Sequence, residues 1–226
     1  MALEWLGTVD TPLPDVALGV TIRVTDREND QLHVAVLHRA DGEPATQLSL
    51  NWHAWLVNEA IPPGSRIVRA EIPEERAEAA AALCRRVFRR HGHHGLPYGI
   101  LYEGGRINPD GLVELLGSTH GLTCATFVLL VFEHAGYPLV QVDTWPAREG
   151  DATWHTRIVE TLEGTRQSRG EPSEEHIENV RGELGCARFR PGEVTAACPR
   201  CHDGPSPFQE IEPLGVEVRQ ALLEAA

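Results

Sequence analysis

Cys124 is the residue of this 226-residue chain whose sequence context best suits a chemical role. It leads into an apolar run at helical spacing that ends at Gly136 and Pro138. Because Gly121 and Thr123 stand just before the run, the pattern places Cys124 in the first turn of a helix. The partial positive charge of a helix N-terminus stabilises a thiolate, which is the nucleophilic form of cysteine. The same pattern is also typical of a small cysteine buried in a core.

A nucleophilic thiol needs a base, and the base needs a third group that orients it. Residues 32–39 alternate in polarity and predict a strand that turns His33 away from the core. Residues 48–53 predict an antiparallel partner strand, with Asn51 and His53 on the same face as His33. The other interpretation is a sheet whose solvent-facing side happens to carry these polar residues.

The remaining elements follow from periodicity, charge and proline placement. The pattern predicts strands over 20–25 and 67–72, helices over 73–90, 147–164 and 216–225, a helix that starts at 172–175, and extended chain over 186–192 and 194–197. Strands that precede helices in this order predict an α+β fold, with an antiparallel sheet packed on the helix that carries Cys124.

The composition narrows the class of partner and the compartment. A formal net charge of -13 argues against a nucleic-acid partner, which would favour a basic face. No apolar stretch is long enough to span a membrane, and the first residues lack the pattern of a secretory signal. Five cysteines are an odd number, which is typical of a reducing compartment. We therefore expect a cytoplasmic protein, while export without a classical signal is compatible with the sequence. The oligomeric state is left open.

Three short stretches carry a resemblance to a known family. Residues 32–36 (Leu-His-Val-Ala-Val) resemble a His-Val-Gly-Ile-Tyr strand opening, and residues 123–128 resemble an Asn-Cys or Asp-Cys helix start. Residues 97–99 (Pro-Tyr-Gly) are similar to a Tyr-Gly element that precedes the cysteine. These motifs occur in circularly permuted NlpC-like thiol hydrolases of the papain-like fold, a group that includes relatives of lecithin:retinol acyltransferase.

The resemblance implies a papain-like catalytic domain over residues 1–146. Residues 147–226 would then be a helical and extended C-terminal addition that packs on this domain as one structural unit. The implied function is a cysteine-dependent hydrolase that cleaves an amide or peptide bond through a thioester intermediate. Its partner would be a peptide or an acyl-bearing substrate. A thiol acyltransferase and a non-catalytic papain-like binding module are the alternatives.

The resemblance also implies a role for each matched residue. Cys124 would be the nucleophile and His33 the base, while either His53 or Asn51 would orient the imidazole. We favour His53, because a second histidine is often found at that place in permuted relatives. Tyr98 and Thr123 would contact the substrate.

A separate motif near the C-terminus could hold a metal ion. Cys198 and Cys201 form a C-x-x-C pair, which is half of a tetrahedral zinc site, and Cys186 and His202 are the nearest further ligands. A disulfide or redox pair and an uncoordinated turn are the other interpretations. We expect no cofactor, with structural zinc as the alternative.

Overall fold

Alternation of apolar and polar residues builds the central sheet of this α+β protein. The computed structural model describes residues 3–225, which form a six-stranded antiparallel sheet, a two-stranded hairpin and six α-helices. The strands are β1 (Gly7–Thr8), β2 (Ala17–Asp26), β3 (Gln31–Arg39), β4 (Thr46–Trp52), β5 (Trp55–Ala60), β6 (Arg66–Arg69), β7 (Gly105–Ile107) and β8 (Val113–Leu115). The sheet order is β1-β6-β2-β3-β4-β5, and β7 pairs with β8.

The helices lie between and after the strands. They are α1 (Glu74–His91), α2 (Cys124–His134), α3 (Glu149–Arg169), α4 (Glu174–Gly182), α5 (Pro191–Ala197) and α6 (Phe208–Ala225), together with 3₁₀ helices at Val142–Thr144 and Cys198–Asp203. No helix among residues 3–225 is both long enough and apolar enough to cross a membrane.

One face of the sheet packs against the helices and forms the main core. Val34 on β3 and Leu50 on β4 lie in one buried cluster with residues of α1, α2 and α5. Val194 on α5 and Val218 on α6 belong to the same cluster. The core is therefore continuous between the sheet and the C-terminal helices, as expected when apolar faces of successive layers are buried together.

The opposite face of the sheet is also buried, although it is largely polar. Thr21 Oγ1 donates a hydrogen bond to Gln47 Oε1 at 2.6 Å, and Gln47 Nε2 donates to Glu59 Oε1 at 3.0 Å. Thr21 is on β2 and Gln47 is on β4. Strand β3, which lies between them, carries the small side chain of Ala35. Because these polar groups satisfy one another, they can be buried at low cost. The face that carries His33 is therefore not a solvent-facing one.

Local patterns identified most of the elements correctly. The predicted strands over 20–25, 32–39, 48–53 and 67–72 and the predicted helix over 73–90 all overlap observed elements, although β4 ends at Trp52 and β6 at Arg69. The helix predicted over 147–164 continues to Arg169, where Gly170 ends it in a left-handed conformation with φ 78°.

Two expectations about secondary structure were wrong. Residues 194–197 are helical, because Pro191 begins α5 and the carboxylate of Glu193 accepts the backbone N–H of Arg190. The final helix begins at Phe208 instead of 216, with Pro213 inside it.

Strand β5 had no signal in the sequence. It follows β4 after a two-residue turn, His53 and Ala54, and Trp52 pairs with Trp55 across that turn. Ala54 adopts a left-handed backbone conformation there, with φ 55°. Alanine is rare in that conformation, so the turn lacks the Gly or Asn by which hairpins are usually recognised. As a consequence His53 lies in a turn and not on the strand.

Candidate active site

Helix α2 begins at Cys124, as the sequence predicts. The hydroxyl of Thr123 accepts the backbone N–H of Thr126 at 3.1 Å, and the hydroxyl of Thr126 accepts the backbone N–H of Thr123 at 2.8 Å. This reciprocal cap fixes the first turn of the helix. Residues 125–132 are buried, whereas Cys124 is partly exposed. Thr123 is itself buried, and its hydroxyl serves the cap, so the structure places it as a helix cap.

A close approach of two backbone segments brings Tyr98 to the start of α2. Leu122 donates its backbone N–H to the carbonyl oxygen of Pro97 at 3.0 Å. A Cβ atom at Gly99 would lie 2.6 Å from the backbone nitrogen of Gly121, so only glycine fits at this approach. The ring of Tyr98 is buried and lies 4.4 Å from the ring of Trp52, measured between centroids.

Burial and the neighbouring polar groups shift the pKa of the Cys124 thiol in opposite directions. Burial raises its pKa, while the backbone N–H groups of Val34 and Ala125 and the charge of Arg188 act to lower it. The net effect is a raised pKa, so the lowered pKa expected from the helix N-terminus was wrong. Removal of water from the thiolate outweighs the helix dipole here. Arg188 had no signal in the sequence, because it lies on a distant loop.

The other four cysteines lie in less favourable surroundings for a thiolate. Burial raises the pKa of Cys84 to about 12 and that of both Cys186 and Cys201 to about 11, and it raises the pKa of Cys198 as well. Cys84, Cys198 and Cys201 are buried, whereas Cys186 is partly exposed. Cys186 is therefore the natural comparison for the reactivity of Cys124.

The imidazole of His33 is held by a chain of polar groups on β4. Its Nε2 lies 2.6 Å from Ser49 Oγ, and that hydroxyl donates to Asn51 Oδ1 at 2.7 Å. Because the Ser49 proton is directed at Asn51, Nε2–H of His33 donates to Ser49, and Nδ1 carries the lone pair of the neutral ring. Burial, followed by the charge of Arg23, lowers the pKa of His33 to about 4. The ring is therefore neutral at pH 7 and able to accept a proton at Nδ1.

The structure does not bring the His33 ring into contact with the Cys124 thiol. Val34 packs in the same cluster as α2, and neighbouring side chains of a strand point to opposite faces. The His33 ring accordingly lies on the face of the sheet away from α2. Among residues 3–225 no hydrogen bond joins this imidazole to the thiol.

His53 is placed beside Tyr98 instead of behind the His33 ring. Its Nδ1 accepts the backbone N–H of Tyr98 at 3.3 Å, and its ring centroid lies 4.7 Å from that of His176. His176, which the sequence did not single out, donates Nε2–H to the carbonyl oxygen of Tyr98 at 2.8 Å. Burial and the nearby His176 lower the pKa of His53 to about 4. The two histidines together hold the backbone of Tyr98, and Asn51 is the predicted residue that reaches His33 through Ser49.

Glu183 is a third residue that sequence reasoning missed. One of its oxygens accepts the backbone N–H groups of Ile100 at 2.6 Å and Leu101 at 3.1 Å. The other oxygen accepts the backbone N–H of His120 at 3.2 Å and lies 3.0 Å from Nδ1 of the same residue. This buried carboxylate therefore ties the loop after Tyr98 to the segment that leads into α2. In the sequence Glu183 is one charged residue in a polar stretch, a pattern that is typical of a surface residue.

The residues proposed for zinc are dispersed. Cys198 and Cys201 lie in the main core, where Cys198 Sγ is 3.7 Å from the carbonyl oxygen of Val68, whereas Cys186 packs against a separate cluster. His202 is exposed and lies 3.2 Å from the carboxylate of Asp203. Within residues 3–225 no group of three or more His, Cys, Asp or Glu side chains is arranged to hold a metal ion.

The region around the start of α2 thus combines a partly exposed cysteine residue, backbone N–H groups directed at its sulfur and a nearby guanidinium. Backbone N–H groups and cations of this kind stabilise the negative charge that develops on sulfur or oxygen during acyl transfer. A comparison of the chain with protein-family models, with curated proteins and with solved structures found no match.

Proposed function

We propose that this protein is a papain-like cysteine-dependent hydrolase that cleaves an amide or peptide bond through a thioester on Cys124. The observation that carries the proposal is the start of α2, where Cys124 is partly exposed as a residue although the next eight residues, 125–132, are buried. A cysteine used only to fill the core would be expected to face inward with them. The N–H groups of Val34 and Ala125 and the charge of Arg188 favour the thiolate of Cys124.

The proposed reaction has two halves. Cys124 Sγ attacks the carbonyl carbon of the substrate, its proton passes to the amine nitrogen, and the amine leaves as the thioester forms. Water then attacks the thioester, releases the acid and returns a proton to the Cys124 thiolate. The N–H groups of Val34 and Ala125 are suited to stabilise the charge on the carbonyl oxygen.

The position of His33 excludes a direct transfer of this proton to its imidazole. The ring is held by Ser49 on the face of the sheet away from α2, and the strand separates it from the Cys124 thiol. The base role that the resemblance implies for His33 is therefore not part of the proposed reaction.

The test is acylation by p-nitrophenyl acetate, an activated ester that reports a nucleophilic thiol without knowledge of the natural substrate. We expect release of p-nitrophenolate and, after quenching, an acetyl group on Cys124 located by peptide mass spectrometry. Cys124→Ala should lose both signals. Cys186→Ala, which removes the other partly exposed thiol, should retain them. His33→Gln should retain them as well, because the His33 ring lies on the face of the sheet away from the thiol.

Two results would count against the proposal. One is ester hydrolysis by Cys124→Ala at the rate of the unaltered protein. The other is acetylation that does not favour Cys124 over Cys186, which would indicate a non-catalytic binding module.

A further inference from the structure

A cavity of about 770 Å³ lies beside the start of β3, between α3 and the chain that leads into α5 and α6. Its lining includes the apolar and aromatic side chains of Leu32, Trp52, Trp154 and Ile158, together with four arginines, one of which is Arg188. Arg188 also acts on the Cys124 thiol, so the cavity lies close to the site described above. A cavity of this size and lining is typical of a small-molecule or peptide-end site.

Arg188 is the partly buried arginine of the cavity that no carboxylate of the described residues pairs with. Its guanidinium carbon lies 3.8 Å from the centroid of the Trp154 ring, so the plane of the group is held against the indole. Among residues 3–225 no carboxylate pairs with this guanidinium and no hydrogen bond uses its N–H groups. Burial and the charge of Arg190 lower the pKa of Arg188 to about 10, which leaves it protonated at pH 7.

Two of the other three arginines of the cavity differ in this respect, and the third, Arg157, is exposed on α3. Arg190 pairs with Asp151 at 3.0 Å, and Arg219 pairs with Asp30. Because those charges are already matched, they offer little to a ligand. Arg188 keeps its hydrogen-bond donors free, and an arginine held in one orientation presents two parallel N–H groups to a planar anion.

The carboxylates of the cavity are mostly occupied as well. Asp30 pairs with Arg219, Glu193 pairs with Arg148, and Asp26 accepts the backbone N–H of Glu28 at 3.0 Å. The local balance near Arg188 therefore favours an anion, although the whole chain carries a net charge of -13. The lining as a whole carries four arginines and four carboxylates, so the preference comes from the one partly buried arginine, Arg188, that has no carboxylate partner in the described part of the chain.

We propose that this cavity binds a ligand that carries a carboxylate and an apolar or aromatic group. Arg188 binds the carboxylate through paired N–H donors, and the indoles of Trp52 and Trp154 contact the apolar part. Peptide ends and N-acylated amino acids belong to this class of ligand. The binding itself requires no reaction at Cys124, so it stands apart from the proposed hydrolase activity.

The test compares two probes that differ by one charge, N-benzoylglycine and its neutral amide. Binding is measured by calorimetry and by tryptophan fluorescence, which Trp52 and Trp154 should report. We expect the carboxylate to bind about tenfold more tightly than the amide, as for a charge-assisted bidentate contact. Arg188→Gln should remove that preference, while Arg188→Lys should keep part of it. Arg166→Gln, at an exposed α3 residue outside the cavity lining, should leave the preference intact.

Several outcomes would overturn the inference. They are equal affinity for the two probes, a carboxylate preference that survives Arg188→Gln, and no binding of either probe up to its solubility limit. Thermal unfolding of each variant checks that the fold is retained. The same titration in Cys124→Ala separates the two proposals, because the carboxylate preference should persist there even when ester turnover is lost.

Discussion

The buried imidazole of His33 should make the stability of this protein unusually sensitive to mild acid. Burial lowers the pKa of His33 from 6.5 to about 4. The folded protein therefore binds this proton less readily than the unfolded chain does. The contribution of the neutral ring to stability is complete above pH 6.5, declines as the pH falls below that value, and levels off below about pH 4. Linkage places the loss between pH 7 and pH 5 at about 2 kcal/mol for this one group.

The assay is urea unfolding at pH 7 and pH 5 for the unaltered protein and for His33→Gln. The substitution removes the titrating group but keeps an amide that can hydrogen-bond to Ser49. We expect the free energy of unfolding of the unaltered protein to fall by about 2 kcal/mol more than that of His33→Gln. Other titrating groups contribute equally to both proteins and cancel in this difference.

A matched control separates burial from the mere presence of a histidine. His93 is exposed in the loop after α1, so His93→Gln should show the same fall between the two pH values as the unaltered protein. An equal fall in the His33→Gln variant would refute the reasoning. It would mean that water reaches the His33 ring and that the polar chain through Ser49 and Asn51 does not hold a neutral imidazole.

Two further predictions concern the segments that position Tyr98 and Cys124. Glu183→Gln should lower the free energy of unfolding by about 3 kcal/mol, because a buried carboxylate that accepts three backbone N–H groups is replaced by an amide with one acceptor oxygen. Glu178→Gln, on an exposed face of α4, is the control. Equal midpoints of the two variants in chemical unfolding would contradict the role given to Glu183. Gly121→Ala should cost about 2 kcal/mol, because the added Cβ would clash with the backbone of Tyr98 and Gly99. Gly164→Ala, where a Cβ meets open space on α3, should instead be neutral or stabilising, and similar thermal midpoints for both alanine variants would argue against the close approach.

Local rules in the sequence were sufficient for the elements that build the framework. The alternation over β2, β3 and β4 follows from one buried apolar face, and it also placed His33 and Asn51 correctly on the other face. The start of α2 could be identified because an N-cap residue acts within one turn of itself. These features depend on residues that are neighbours along the chain, so they can be predicted from one sequence alone.

The composition of the site depended on contacts between residues distant in sequence. The left-handed conformation of Ala54 moved His53 into a turn, where Tyr98 and His176 surround it. Burial of Cys124 raised a pKa that its helix position alone would lower, because desolvation depends on everything packed around the sulfur. Arg188 reaches the same region from a loop far along the chain, and no spacing in the sequence reports that approach. The sequence by itself therefore determined which elements form and where α2 begins, whereas only tertiary packing decided which charged groups surround the thiol and whether water can reach them.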